Sequence, residues 1–249
     1  MRFHFHASFI TVILGATLFG PEISVQLIPK LLLCYLIFNV LIYGGLYTFN
    51  DIIDLKADSE HPIKKFRPIA SGEVSVKSAA ISCASLIITG LIAAILCFPG
   101  EIYQLFFLFI LLNFGYTLFF KKMIYLNIAI VGCTHTLRLV LGMTIAKANI
   151  DPAVIAAFYC MLFGLGITIH SMFNFKPYEI PYYTPKKVLI FQTFTLLCST
   201  LFLTIAESGI NIPIAVCCFG FFILALCSKF EYFHPIIAKI FMIKTKVKK

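Results

Sequence analysis

The sequence predicts an all-α fold: a polytopic membrane helix bundle of about eight to nine transmembrane helices. Three observations predict it. Sixty per cent of the 249 residues are apolar and only 12% are charged, far from the balance of water-soluble domains. The apolar residues gather into runs long enough to cross ~30 Å of hydrocarbon. The cations fall almost entirely between alternate runs, as short cytoplasmic loops require.

The runs lie at about residues 7 to 22, 31 to 49, 78 to 98, 102 to 120, 124 to 146, 153 to 173, 188 to 206 and 211 to 228. Each is a candidate span, because a chain in lipid must satisfy its backbone internally and a helix does so within one segment. The stretch Pro235 to Ile243 is too short to cross. It reads as an interfacial segment before the lysines of the carboxyl terminus, or as an irregular ninth crossing.

With the amino terminus inside, the inner segments hold Arg2, Lys56, Lys64, Lys65, Arg67, Lys77, Lys121, Lys122, Lys176, Lys186, Lys187, Lys229, Lys239, Lys244, Lys246, Lys248 and Lys249, seventeen of twenty basic residues. Only Lys30 and Lys147 fall outside, and Arg138 lies within a span. The net charge of +9 is therefore topological. No basic recognition helix or stacking motif points to nucleic acid. Arg2, His4 and His6 lead into the first run with no small-residue cleavage pattern, so the amino terminus is expected to be retained. The nine cysteines all fall within spans, have no metal-ligand spacing, and read as small apolar packing residues. With no strong repeat and no linker, residues 1–249 are read as a single integral membrane domain.

In this acid-poor chain, Asn50-Asp51-Ile52-Ile53-Asp54-Leu55-Lys56-Ala57-Asp58 gathers three carboxylates at the end of an apolar run. At ~100° per residue a continuous helix sets Asp51, Asp54 and Asp58 within about 60° of one another. Carboxylates so close need a cation. An all-oxygen set suits Mg²⁺, which takes one or two carboxylates together with substrate phosphates, so a diphosphate substrate is expected. The loop that follows, Ser59 to Gly72, carries Lys64, Lys65 and Arg67 as candidate phosphate ligands, Arg67 as a planar fork. Arg138 within a span would cost several kcal/mol unless it faces a cavity or a partner. It is expected to meet a phosphate, or an acid such as Asp51.

These residues resemble a known family. Asn50-Asp51-x-x-Asp54-x-x-x-Asp58, followed by His61-Pro62-x-Lys64-x-x-Arg67-Pro68-Ile69-Ala70-Ser71-Gly72, resembles the first aspartate-rich motif of the UbiA superfamily of intramembrane prenyltransferases. The His61 to Gly72 form is most similar to the branch containing decaprenyl-phosphate phosphoribosyltransferase. A second block, Tyr116-Thr117-Leu118-Phe119-Phe120-Lys121 with Asn127, Leu137-Arg138 and Gly142, is similar to the same branch.

The resemblance implies spans arranged around a central cavity that faces the cytoplasm. It implies Asp51, Asp54 and Asp58 as Mg²⁺ ligands, with Arg67 and Arg138 completing the catalytic set. Asn50, Lys64, Lys65, Tyr116, Lys121 and Asn127 would contact substrate. The reaction it implies is transfer of an isoprenoid group from a polyprenyl diphosphate to an acceptor with release of diphosphate. The alternative is phosphoribosyl transfer from phosphoribosyl diphosphate to a polyprenyl phosphate. A third reading is a membrane protein that binds isoprenoids without catalysis.

The chain departs from the family in two places. Asn127 stands where superfamily members carry a second acidic motif, and no carboxylate lies between Glu101 and Asp151. Asn174-Phe175-Lys176-Pro177-Tyr178-Glu179 replaces a Lys- and Arg-rich stretch of the phosphoribosyl branch, which leaves isoprenoid transfer narrowly first.

Overall fold

In a computed structural model, residues 4–21, 24–123, 125–173, 184–206 and 212–240 are described, and among them every regular element is helical. The loop 174–179 and the lysines beyond residue 240 lie outside the described residues.

Each of the eight apolar runs contains a helix among the described residues. Six helices are long and apolar enough to cross a membrane: Leu27–Ile53, Val76–Cys97, Gly100–Phe120, Leu126–Ile145, Pro152–Met172 and Lys186–Thr204. A seventh crossing is reached if Ile212–Cys227 and Glu231–Ile240, bent by 120° at their junction, count as one span. The first expected span is represented by His4–Ala7 and Ile10–Phe19, the latter only 10 residues long. Large apolar side chains such as Leu96, Phe119, Ile190 and Phe219 are more than half exposed, which suits a surface solvated by acyl chains.

The chain divides into two compact units, Met1–Lys121 with Leu137–Ala148, and Lys122–Thr136 with Asn149–Lys249. In the first unit, α1 (His4–Ala7) and α2 (Ile10–Phe19) precede a long span made of α3 (Leu27–Cys34), a π-helical segment Tyr35–Ile42 and α4 (Tyr43–Ile53). A short α5 (Leu55–Ser59) follows, then α6 (Val76–Cys97), α7 (Gly100–Gly115) and a second π-helical segment, Tyr116–Phe120. Phe38, Phe106 and Phe109 lie in the apolar core, the Phe38 ring tilted against those of Phe109 and Phe106 with centroids 4.6 Å and 5.1 Å away.

The carboxyl-terminal half of α8 (Leu126–Ile145) also belongs to this unit and packs on α2 backbone to backbone. A Cβ built on Gly142 would stand 2.0 Å from the Val12 carbonyl oxygen, and one built on Gly15 would stand 2.1 Å from that of Leu139. Small residues permit this approach, which a membrane helix pair needs because lipid supplies no hydrophobic drive between helices.

The second unit holds the first half of α8, α9 (Pro152–Phe173), α10 (Pro185–Thr204), α11 (Ile212–Cys227) and α12 (His234–Ile240). Polar side chains join α9 to α10. Gln192 Nε2 donates to Thr168 Oγ1 at 2.9 Å, and Ser199 Oγ donates to the Ala157 carbonyl at 3.1 Å. Residues Pro235 to Ile240 continue past the sharp bend as part of the short α12.

Candidate active site

The site is built where the long span ends. The helix does not run unbroken through residues 50 to 58: α4 stops at Ile53, Asp54 forms the junction, and α5 restarts at Leu55. Backbone bonds still link the pieces, from Asp54 N to the Asn50 carbonyl at 2.9 Å and from Asp58 N to the Asp54 carbonyl at 2.8 Å. Asp54 and Asp58 are consequently buried, while Asp51 is half-buried.

The loop beyond α5 is held by its own polar groups. His61 Nδ1 accepts from the backbone N–H groups of Ile63 and Lys64, both at 3.2 Å, which fixes the 3₁₀ turn Lys64–Phe66. Arg67 then turns extended, with ψ 145°, as the residue before a proline must. Pro68 to Gly72 close a tight turn in which Gly72 takes φ +79°, a conformation glycine adopts without steric cost. The Ser71 N–H donates to the Arg67 carbonyl at 2.8 Å, and Ser75 caps α6 by accepting from the Ser78 N–H at 3.1 Å.

This turn carries the Arg67 guanidinium back onto the acids. A single nitrogen, Nη1, donates to Asp51 Oδ1 at 3.2 Å and also to Asp58 Oδ2. The Lys64 ammonium stands 3.7 Å from Asp58 Oδ1. Burial lowers the Lys64 pKa below its ordinary 10.5, an effect that nearby Arg67 reinforces and Asp58 opposes.

Asp54 has a different partner. The Tyr116–Phe120 segment winds with the wider π spacing, so the Lys121 N–H donates to the Tyr116 carbonyl at 2.8 Å. The Lys121 ammonium thereby contacts Asp54 Oδ2 and donates to Asn50 Oδ1 at 2.9 Å. Asn50 Nδ2 donates to the same Asp54 oxygen at 3.1 Å. Tyr116 lies within electrostatic reach of Asp54.

Seven of the residues expected at the site are therefore brought together directly: Asn50, Asp51, Asp54, Asp58, Lys64, Arg67 and Lys121. The carboxylates divide into a pair, Asp51 and Asp58, and a separate Asp54. Among the described residues no three His, Cys, Asp or Glu side chains come close enough to hold one ion. A Mg²⁺ ion fits the pair. Its oxygens are hard donors, it needs only one or two carboxylates beside substrate phosphates, and the contact of one Arg67 nitrogen with both acids marks a point where a single cation meets both.

For three further expected residues the structure shows other contacts. Lys65 is exposed, its ammonium 5.2 Å from the centroid of the Phe66 ring. Asn127 is buried in the second unit, where its Oδ1 accepts from the Ile128 N–H at 2.7 Å. Arg138, 1% exposed, lies against two aromatic rings set edge to face, its Cζ 4.6 Å from the centroids of both Tyr43 and Phe109. Sequence reasoning missed this aromatic cage. Its signal was the stripe Tyr43, Tyr47, Asn50, Asp54, a residue every three or four positions along one face of the helix that ends in the acids.

A sequence model of the UbiA prenyltransferase family matches residues 8–233. The chain belongs to this family of transferases. It is 31% identical over 134 residues to the decaprenyl-phosphate phosphoribosyltransferase of Corynebacterium glutamicum, a stretch covering 52% of this chain and 40% of that enzyme. It is 28% identical over 118 residues to the decaprenyl-phosphate phosphoribosyltransferase of Mycobacterium tuberculosis, covering 47% of this chain and 38% of the relative. The matched stretches thus span about two fifths of those relatives. The fold is similar to that of a UbiA homolog from Archaeoglobus fulgidus bound to DMAPP and Mg²⁺, with TM-score 0.73 and 16% identity, covering 96% of this chain and 93% of that one. The family and its fold agree with the resemblance carried by Asn50 to Gly72.

Proposed function

We propose that this protein is a Mg²⁺-dependent integral membrane transferase that displaces diphosphate at the Asp51, Asp58 and Arg67 cluster, with an isoprenoid lipid as one of its two reactants. One observation carries the reading: the chain's own cations converge on buried carboxylates at the end of a span, an arrangement that supplies both halves of a metal-diphosphate site. Residues 1–249 act in this reading as one catalytic domain. The site faces the cytoplasm, the side on which seventeen of the twenty basic residues fall.

Asp51 and Asp58 would hold Mg²⁺, which when bound neutralises charge on the departing diphosphate. Arg67 and Lys64 bind phosphate oxygens, Arg67 through two parallel N–H donors and Lys64 as a point charge. Lys121 keeps Asp54 and Asn50 fixed beside the leaving group as a second permanent positive charge. Arg138, on α8 and in contact with Tyr43 and Phe109, adds a positive charge beside the span that ends in the acids. The apolar faces of the surrounding helices exclude water from the carbon that loses diphosphate.

Phosphoribosyl diphosphate is the donor this reading favours, with a polyprenyl phosphate as acceptor. Support comes from the His61 to Gly72 and Tyr116 to Gly142 blocks and from two relatives of that activity at 28% and 31% identity. This reverses the narrow order drawn from sequence. Isoprenoid transfer from an allylic diphosphate is the second reading, favoured by the single cation in residues 174–179.

The test is transfer from labelled donor by purified, detergent-solubilised protein. Phosphoribosyl diphosphate with polyprenyl phosphate runs beside allylic diphosphates with aromatic acceptors, each with and without Mg²⁺, and Asp58→Asn is the control. Metal-dependent product in the first set supports the favoured donor, and product only in the second set replaces it. No product in either, with isoprenoid binding intact, overturns catalysis.

A further inference from the structure

We propose that Lys121 does in this chain what a second divalent ion would do, so that the site takes one divalent cation, bound at Asp51 and Asp58 in exchange for Arg67. The proposal rests on the metal-diphosphate reading above and specifies its stoichiometry.

Two centres of positive charge lie on the acids. Arg67 Nη1 joins Asp51 to Asp58, and Lys121 Nζ joins Asp54 to Asn50. Both bridge two oxygens, the geometry in which a small hard cation is held. They differ in what it would cost to move them. Arg67 comes from a loop, its side chain and those of Asp51 and Asp58 are 20%, 20% and 2% exposed, and its planar fork matches phosphate oxygens in two-point contact. A divalent ion arriving with a diphosphate can therefore replace Nη1 on the two carboxylates while the guanidinium moves to the phosphate. Lys64, 3.7 Å from Asp58, remains beside that carboxylate throughout.

Lys121 has no comparable exchange. It sits at the end of a span and has no planar fork to re-form on phosphate; its side chain is 17% exposed and that of its partner Asp54 8%, so withdrawing the ammonium with nothing in its place would strand a buried carboxylate. Asn50 donates to the same Asp54 oxygen that Lys121 contacts, which ties the three groups into one unit. Asn127 brings no charge, and its Oδ1 is engaged by the Ile128 N–H at 2.7 Å. A second divalent ion could be held by Asp54 and Asn50, and there Lys121 already bridges the two oxygens.

The experiment counts ions without turnover. Mn²⁺ bound to the full-length protein in detergent is measured by electron paramagnetic resonance with saturating methylene diphosphonate, in wild type, Lys121→Gln and Lys121→Arg. Wild type and Lys121→Arg are expected to bind one Mn²⁺ each. Lys121→Gln is expected to gain a second, weaker ion on Asp54 and Asn50, with the line broadening of two nearby spins. Two ions in wild type, or one ion still in a Lys121→Gln protein that elutes as a folded species, overturns the proposal while leaving the metal-diphosphate reading intact. No Mn²⁺ in any of the three overturns that reading, and the proposal with it.

Discussion

The Lys121 ammonium donates to the side-chain oxygen of Asn50 at 2.9 Å across 71 residues of sequence, and in the same place it contacts Asp54. One bridge thus ties the end of the Gly100–Phe120 span to the end of the Leu27–Ile53 span. Its stability has a definite signature. Lys121→Met leaves Asp54 buried without its ammonium and is expected to cost about 3 kcal/mol. Lys121→Met combined with Asp54→Leu removes both charges and is expected to recover most of that loss. Thermal unfolding of the single and double variants in detergent measures the coupling. Additive losses would mean that the pair contributes nothing.

Arg67 touches two acids through one nitrogen, so its contribution to the reaction depends on shape as well as charge. Arg67→Gln removes the charge and the fork together and is expected to lower kcat/KM by about 10² or more. Arg67→Lys keeps the charge but loses two-point recognition of phosphate, and is expected to fall between that variant and wild type. Steady-state kinetics with labelled donor measure both. Equal activity in Arg67→Lys and wild type would remove the fork from the mechanism.

The apolar runs were legible because lipid leaves a span no alternative to helix, and every one of the eight contains a helix among the described residues. Their lengths were less legible. Hydropathy marks where a helix lies without marking bends, so the 120° turn after Cys227 could not be read. The acids were legible as a cluster, but a helical wheel assumes an unbroken helix and the real one stops at Ile53. What divides the carboxylates is their partners, Arg67 on Asp51 and Asp58 and Lys121 on Asp54. Lys65 and Arg67 are alike in sequence, two cations in one loop. Only the His61 cap and the extended turn at Arg67 decide that one faces outward and the other reaches the acids. Gly142 appeared as a motif residue without a reason, and its reason is packing.

That packing is testable. A methyl group on Gly142 would meet the Val12 carbonyl oxygen at 2.0 Å and the Ala16 nitrogen at 2.8 Å, both backbone atoms that cannot swing away. Gly142→Ala is expected to cost about 1–3 kcal/mol by forcing α2 from α8. Gly44→Ala is the control, since nothing lies within 4 Å of its built Cβ. Unfolding temperatures in detergent decide it, and an unchanged value for Gly142→Ala would mean that the two helices separate freely.

Arg138 places its guanidinium 4.6 Å from the ring centroids of both Tyr43 and Phe109, and its delocalised charge meets two rings at once where the compact ammonium of lysine would not. Arg138→Lys is expected to lose about 1–2 kcal/mol of stability with the charge retained. Tyr43→Leu, which removes one face of the cage, should cost less when introduced into Arg138→Lys than into wild type. A full, additive loss in the double variant would mean that the rings and the guanidinium act independently.

Lys64 yields two opposite pH trends. Burial lowers its pKa below 10.5 in the folded chain, so between the lowered value and 10.5 the unfolded chain binds more protons than the native one. Stability from this group therefore rises with pH across that window. Donor binding moves the other way, because a neutral Lys64 no longer attracts phosphate, and the donor KM is expected to climb in the same window. Lys64→Arg removes both trends, since guanidinium stays charged throughout. The measurement is donor KM and unfolding temperature against pH from 8 to about 10.5 in wild type and Lys64→Arg, with the difference between the two proteins assigned to Lys64. A donor KM that follows one curve in both proteins would show that Lys64 does not contact the donor, while a stability difference alone would leave it with a purely structural place beside Asp58.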